Sequence, residues 1–243
     1  MIEKNNYIVR YFPNFITLLS LVSGFTSIRF SLNEEWKIAI YLILLASIFD
    51  FFDGWFARKL KGGTNFGAEL DSLSDFVSFG VAPSTLIFLW STSILGSIGW
   101  ASTLFFVICA ALRLARFTAD IYITNKPIDH NEYFIGVPSP AAACLILLPV
   151  FIYFEFEFLL FKNEYFNFIN CFVIGFLMIS KIPTISIKKI SVRTKYNTWV
   201  LLLLVFICIG LITKLWLTLI SLLLIYIISI FYTIYINIRT TED

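Results

Sequence analysis

Long apolar runs dominate this sequence and restrict what the chain can fold into. Hydrophobic residues make up 59% of the 243 residues and charged residues only 14%, whereas soluble domains carry about 25% charged residues. An apolar run of about 20 residues is long enough to span a bilayer as a helix, and a helix satisfies its backbone hydrogen bonds internally. The sequence therefore predicts an all-α integral membrane protein.

About eight such runs can be separated, each of a length that suits one transmembrane helix. They are predicted at residues 13–31, 36–56, 71–91, 98–117, 138–155, 165–182, 198–213 and 215–237. The polar start of the chain leads directly into a full-length span and not into a short apolar stretch with a cleavage site. We therefore expect the first span to remain in the mature protein.

Basic residues are unevenly distributed between the two predicted sides of the membrane. With the N-terminus inside, most of the 18 Lys and Arg residues fall in cytoplasmic loops, as the positive-inside rule requires. This bias predicts that both termini are cytoplasmic. Because the basic residues are spread over separate loops, they indicate contact with anionic membrane lipids and no binding of nucleic acid.

Four aspartates lie close together in the sequence at one predicted membrane edge. Asp50 and Asp53 are three residues apart, and Asp71 and Asp75 are four apart, so each pair shares one face of a helix. The glycine-containing segment 59–65 between the pairs can end one helix and reverse the chain, which lets the two faces meet. Carboxylates beside a bilayer core are costly unless they are neutralised. The cluster therefore predicts bound divalent cations, Mg²⁺ or Mn²⁺, and two ions would balance four carboxylates.

Small and basic residues follow the first aspartate pair. Gly54 leaves room for a ligand against the helix backbone, and Ala57 on the next turn is also small. Arg58 can bind two phosphate oxygens with its guanidinium group. Metal ions beside such a site can hold a diphosphate and orient an incoming hydroxyl. The pattern thus predicts transfer of a phosphoryl-type group on the cytoplasmic side.

The spacing of these residues resembles a known family signature. The pattern D-x-x-D-G-x-x-A-R, eight residues, then G-x-x-x-D-x-x-x-D runs from Asp50 to Asp75 and is similar to that of the CDP-alcohol phosphotransferases. These integral membrane enzymes join a CDP-linked alcohol to a second alcohol and release CMP. The stretches DSLSDFVSFGVAP, LRLARF and FIGVPSPAAA are similar to the phosphatidylserine synthase branch. The resemblance covers roughly residues 10–145 and implies a six-helix core plus two C-terminal helices.

The resemblance also implies roles for individual residues. All four aspartates become metal ligands, and Asp75 in addition accepts the proton of the attacking hydroxyl. No organic cofactor is implied, only divalent cations. The positions that match nucleotide or phosphate contacts are Asn14, Thr17, Gly54, Ala57, Arg58, Thr64 and Gly67.

The acceptor site is indicated by two arginines at the cytoplasmic end of the fourth predicted span. Arg113 and Arg116 are three residues apart and can bind the carboxylate of a serine acceptor or the lipid phosphate. The alternative is that they anchor the helix end at the membrane surface.

The expected reaction is transfer of a phosphatidyl group from CDP-diacylglycerol to L-serine, by a homodimer as the family implies. Residues 1–182 are predicted to form the catalytic membrane core, and residues 183–243 a basic loop with a C-terminal helix pair that serves as scaffold. Other acceptors, glycerol 3-phosphate or inositol phosphate, and an archaeal ether-lipid donor stay open. A cation transporter is the alternative of another class, although transporters bind ions near the bilayer midplane.

Overall fold

The computed structural model describes residues 3–60, 64–124, 134–180, 183–184 and 197–240. Within these ranges the chain is helical apart from two short strands, β1 (Phe134–Ile135) and β2 (Pro183–Thr184), which pair antiparallel. The α-helices are α1 (Glu3–Leu32), α2 (Trp36–Lys59), α3 (Asn65–Asp75), α4 (Ala82–Trp90), α5 (Ser97–Thr124), α6 (Ser139–Phe156), α7 (Glu164–Ile179), α8 (Asn197–Thr213) and α9 (Leu215–Thr240). Most of the predicted basic loop lies outside the described residues.

Six segments of the described chain are helices long and apolar enough to cross a membrane. They are Tyr11–Leu32, Trp36–Lys59, Asn65–Trp90, Ser97–Ala119, Ser139–Phe156 and Leu215–Tyr235. The sixth and seventh predicted spans form the shorter apolar helices α7, of 16 residues, and α8, of 17 residues. Each predicted apolar run therefore contains a helix, and the prediction of an all-α integral membrane protein is confirmed.

The third predicted span begins earlier than the hydropathy of the sequence suggests. Thr64 has an extended backbone and its Oγ1 accepts a hydrogen bond from the Gly67 N–H at 3.0 Å, which caps the start of α3. The helix therefore begins at Asn65 and not at residue 71. As a result Asp71 and Asp75 both belong to α3, Asp75 as its last residue, and helical geometry fixes the spacing of their side chains.

A π-helical segment, Phe76–Val81, joins α3 to α4. It follows Asp75 directly, so the helical register changes between the acidic part of the span and its apolar part. Segments of this kind occur often at functional sites. Here the segment lies at the boundary between the polar end of the bundle and its packed interior.

Helix α6 occupies the centre of the bundle. It packs against α4, α7 and α9, and its side chains Ile146, Leu147 and Phe151 are fully buried. Leu86 of α4 and Phe106 of α5 belong to the same core cluster. Because lipid is as apolar as these side chains, close packing holds such helices together.

Hydroxyl groups connect α1 to the two helices that carry the aspartates. Ser20 donates to the carbonyl of Ala46 in α2 at 3.0 Å, and Ser74 donates to the carbonyl of Thr17 at 3.1 Å. Ser78 of the π-helical segment donates to the carbonyl of Ser20 at 3.1 Å. Contacts of this type contribute about 0.6 kcal/mol each in membrane proteins. Helix α1 thus holds α2 and α3 in a fixed relation to each other.

Candidate active site

A cavity of about 310 Å³ opens at one end of the helix bundle. Its wall is formed by the last turns of α2, the last turns of α3, the second half of α5 and the start of α6. Seven of the residues singled out in the sequence line it: Asp50, Asp53, Gly54, Arg58, Asp71, Asp75 and Arg113. The two acidic faces therefore meet in one space.

Three carboxylates form a group that could hold a metal ion. One oxygen each from Asp50, Asp53 and Asp71 lies within 4.8 Å of the others. The carboxyl group of Asp75 lies beside that of Asp50, within hydrogen-bonding reach. Helical spacing within α2 and within α3, together with the packing of both on α1, brings these side chains together.

Two carboxylate oxygens in the cavity are buried and have no hydrogen-bond partner among the described residues. They are Oδ2 of Asp53 and Oδ1 of Asp75. A buried anionic oxygen is unfavourable unless a donor or a cation compensates its charge. Divalent cations bound by oxygen ligands would supply that compensation. The donor set and the uncompensated oxygens thus fit a metal site.

The two arginines of α5 take different positions. Arg113 lines the cavity, where it interacts electrostatically with Asp75, and its Nη1 donates to Oγ of Ser139 at the start of α6. Arg116 instead points to the end of α7, where its Nη1 donates to the carbonyl of Ile179 at 3.4 Å. Basic groups near a helix C-terminus bind its last carbonyls favourably. The structure therefore assigns the two arginines different surroundings.

Helix α1 provides two further polar residues of the predicted nucleotide site. Thr17 is buried, donates to the carbonyl of Pro13 at 3.1 Å, and has its hydroxyl next to the carboxyl group of Asp53. Asn14 lies against the start of α3, where a Cβ on Gly67 would be 2.9 Å from its Oδ1. Thr17 is thus adjacent to the acidic group, whereas Asn14 adjoins the N-terminal turn of α3.

Five of the seven predicted nucleotide contacts do not line the cavity: Asn14 and Thr17 of α1, and Ala57, Thr64 and Gly67. Thr64 caps α3 through its bond to Gly67, and Ala57 is half-buried on α2. Thr64 is thus the N-cap of α3, Gly67 lies in the first turn of α3, and Ala57 lies near the C-terminal end of α2.

Several cavity residues were not predicted from their chemistry. They are Phe51, Ser72, Leu114, Phe117, Pro138, Ser139 and Pro140. Ser72 and Thr118 share a hydrogen bond of 3.0 Å that links α3 to α5. Pro138, Ser139 and Pro140 belong to the VPSP stretch, which was noted in the sequence only as part of the family resemblance.

The start of α6 reaches the cavity because of the turn that precedes it. Gly136 has a φ of +82°, and a Cβ at this position would be 2.7 Å from the carbonyl oxygen of Met178. Only glycine fits this conformation and this close contact. The turn directs Ser139, the first residue of α6, into the cavity wall, and a helix N-terminus favours bound anions.

The chain is similar to a known protein family over most of its length. The family model for CDP-alcohol phosphatidyltransferases matches residues 10–239. The chain belongs to this family. The matched range contains all four aspartates that line the cavity and extends into α9.

Three curated relatives carry the name CDP-diacylglycerol–serine O-phosphatidyltransferase. The relative from Mycobacterium leprae is 36% identical over 184 residues, which are 76% of this chain and 61% of the relative. The one from Helicobacter pylori (strain 26695) is 36% identical over 193 residues, 79% of each chain. The one from Bacillus subtilis is 35% identical over 182 residues, 74% of this chain and 93% of the relative. The match thus spans less than two thirds of the mycobacterial protein.

Proposed function

We propose that this protein transfers a phosphatidyl group from CDP-diacylglycerol to L-serine, which yields phosphatidylserine and CMP. The observation that carries the proposal is that four aspartates line one cavity at the end of the helix bundle together with two arginines, Arg58 and Arg113. Family membership and the name of these relatives support the choice of substrates.

Divalent cations, Mg²⁺ or Mn²⁺, are proposed to bind at the aspartates. Asp50, Asp53 and Asp71 are the ligands that the 4.8 Å group supports, and Asp75 adjoins them. Two bound ions would stabilise the negative charge on the diphosphate of the donor.

Asp75 is proposed as the general base. Its carboxylate takes the proton of the serine hydroxyl while the serine oxygen forms a bond to the phosphorus that carries the diacylglycerol. The bond between that phosphorus and the oxygen of the CMP phosphate breaks, and CMP leaves with the electron pair. The buried oxygen of Asp75, which has no partner among the described residues, supports this role because a general base needs a free acceptor atom within reach of the proton.

The donor's nucleotide and phosphates are proposed to lie along the last turns of α2. A Cβ on Gly54 would meet only the Nη1 of Arg58, at 3.4 Å, so the backbone of Gly54 borders open space beside a guanidinium group. The remaining proposed contacts are Asn14, Thr17, Ala57, Thr64 and Gly67. Of these, Thr17 has the most direct support because it lies next to Asp53.

Arg113 is the arginine that we assign to the carboxylate of serine. It lines the cavity near Asp75, and it lies beside the N-terminus of α6, which also favours an anion. Arg116 is instead assigned a structural role at the end of α7. The proposal thus separates two arginines that the sequence alone treats alike.

We also propose an orientation of the protein in the membrane and an oligomeric state. Both termini and the cavity face the cytoplasm, as the distribution of Lys and Arg indicates, and the protein is a homodimer, as the family resemblance implies. Residues 1–182 contain every proposed metal, nucleotide and acceptor residue named so far, which fits their assignment as the catalytic core.

The reaction can be tested with purified protein in detergent, supplied with CDP-diacylglycerol and Mg²⁺ or Mn²⁺. Serine, glycerol 3-phosphate and inositol phosphate are added in separate reactions, and released CMP is measured. We expect CMP release that depends on serine. Release with a phosphate-bearing alcohol only would change the acceptor, and cation flux into proteoliposomes without any CMP release would favour a transporter.

A further inference from the structure

Helix α9 carries a half-buried tyrosine, Tyr226, near the cavity arginine. Tyr226 packs against the hydrophobic core, and its hydroxyl is buried with no hydrogen-bond partner in the described part of the chain. The phenol is near enough to the guanidinium of Arg113 for the two groups to interact electrostatically. The C-terminal helix pair, which the sequence predicts to be scaffold, therefore reaches the surroundings of the site.

The free groups of the two side chains are complementary. The Nε–H of Arg113 is buried and has no partner among the described residues, and it can only donate. The oxygen of Tyr226 can accept that hydrogen. Leaving both groups unpaired is unfavourable in a buried setting, and a hydrogen bond between them, direct or through one bridging water, would satisfy both.

Ser139 already restrains the other side of the guanidinium. Its hydroxyl accepts a hydrogen bond from Nη1 of Arg113. A second restraint at Nε would fix the plane of the group, because a guanidinium held at two nitrogens cannot rotate about its stem. The remaining N–H groups would then present a constant geometry to a ligand in the cavity.

We propose that Tyr226 is a positioning residue for Arg113, and that α9 therefore contributes to the specificity of the acceptor site. Tyr226 does not line the cavity, so it acts through the arginine and not by touching the substrate. This inference rests on the proposed function, in which Arg113 binds the carboxylate of serine.

The test is the full-length Tyr226→Phe variant, which keeps the ring and removes only the hydroxyl. Loss of a hydrogen bond to a charged group should raise the KM for serine about 10-fold. The KM for CDP-diacylglycerol should stay the same. Tyr232→Phe is the matched control, since Tyr232 lies on the same helix with its side chain exposed, and it should behave as the wild type.

Repeating the change in an Arg113→Lys background separates an indirect role from a direct one. Lysine has no planar group for the hydroxyl to orient, so Tyr226→Phe should add no further increase in the KM for serine there. An equal increase in both backgrounds would overturn the proposal, because it would mean that the hydroxyl acts on the substrate itself. An unchanged KM for serine in the single variant would also overturn it.

Failure of the proposed function gives a different result from failure of this inference. If the wild type releases CMP with another acceptor, the same comparisons are made with that acceptor. If Tyr226→Phe then raised the KM for that acceptor equally in the wild-type and Arg113→Lys backgrounds, the positioning role alone would be rejected.

Discussion

At the scale of single residues, the four aspartates have different surroundings although the sequence presents them as two similar pairs. Asp50, Asp53 and Asp71 bring oxygens within 4.8 Å of one another. Asp75 lies beside Asp50 and keeps one buried oxygen without a partner among the described residues. The three-residue group suits metal binding, and the free oxygen suits proton transfer.

Replacing Asp75 with Asn should abolish turnover and leave binding of CDP-diacylglycerol largely intact. The amide cannot accept the hydroxyl proton, and loss of a general base costs about 10²–10⁴-fold in rate. Single-turnover CMP release and equilibrium binding of the CDP-lipid measure the two effects. Glu69→Gln, an exposed change on the same helix, serves as control, and substantial turnover by the Asp75 variant would contradict the assigned role.

Arg113 and Arg116 offer a matched pair of substitutions by Gln. Arg113→Gln should raise the KM for serine about 10- to 100-fold, the effect of losing hydrogen bonds to a charged group. Arg116→Gln should leave the KM for serine unchanged and lower the melting temperature, because it removes a bond to the last turn of α7. The reverse pattern would show that the cavity arginine is not the acceptor ligand.

At the scale of helices, close packing of α1 on the third span determines where the acidic face lies. Gly24 of α1 lies against Ser78, and a Cβ on Gly24 would overlap the backbone of that residue. Hydroxyl-to-carbonyl bonds from Ser74 and Ser78 secure the same contact. The orientation of Asp71 and Asp75 therefore depends on a helix that contributes no carboxylate to the group.

Substitution by valine should lower the stability of the fold at Gly24 and the affinity for the nucleotide at Gly54. Gly24→Val forces α1 away from the π-helical segment, so we expect destabilisation of about 1–3 kcal/mol or more and a lower melting temperature. Gly54→Val meets only a flexible arginine side chain, so the fold should remain and the affinity for CDP or CMP should fall. Unchanged nucleotide affinity in a folded Gly54→Val protein would place the ligand elsewhere.

The helices show how much of the fold the sequence predicts. Length and hydropathy locate all the apolar helices, because spanning a bilayer depends on local composition. They misplace the start of α3, since a single cap at Thr64 extends that helix into a polar segment. They also give no sign that Tyr226 lies near Arg113, which depends on how α9 packs against the bundle.

At the scale of the whole molecule, the site lies at one end of a bundle whose centre is apolar and tightly packed. Charged and polar side chains from four segments converge at that end, while α6 fills the interior. A deep transport pathway would instead place polar groups near the middle of the spans. The fold thus provides an open polar end at which a lipid-linked donor and a soluble acceptor can meet.

Chelation of divalent cations tests the central claim most directly. Purified protein with CDP-diacylglycerol and serine should release CMP, lose this activity in excess EDTA, and recover it when Mg²⁺ or Mn²⁺ is added in excess. The reason is that the uncompensated aspartates would repel the diphosphate of the donor. Full serine-dependent turnover in EDTA, or metal-restored CMP release that does not require serine, would contradict the account.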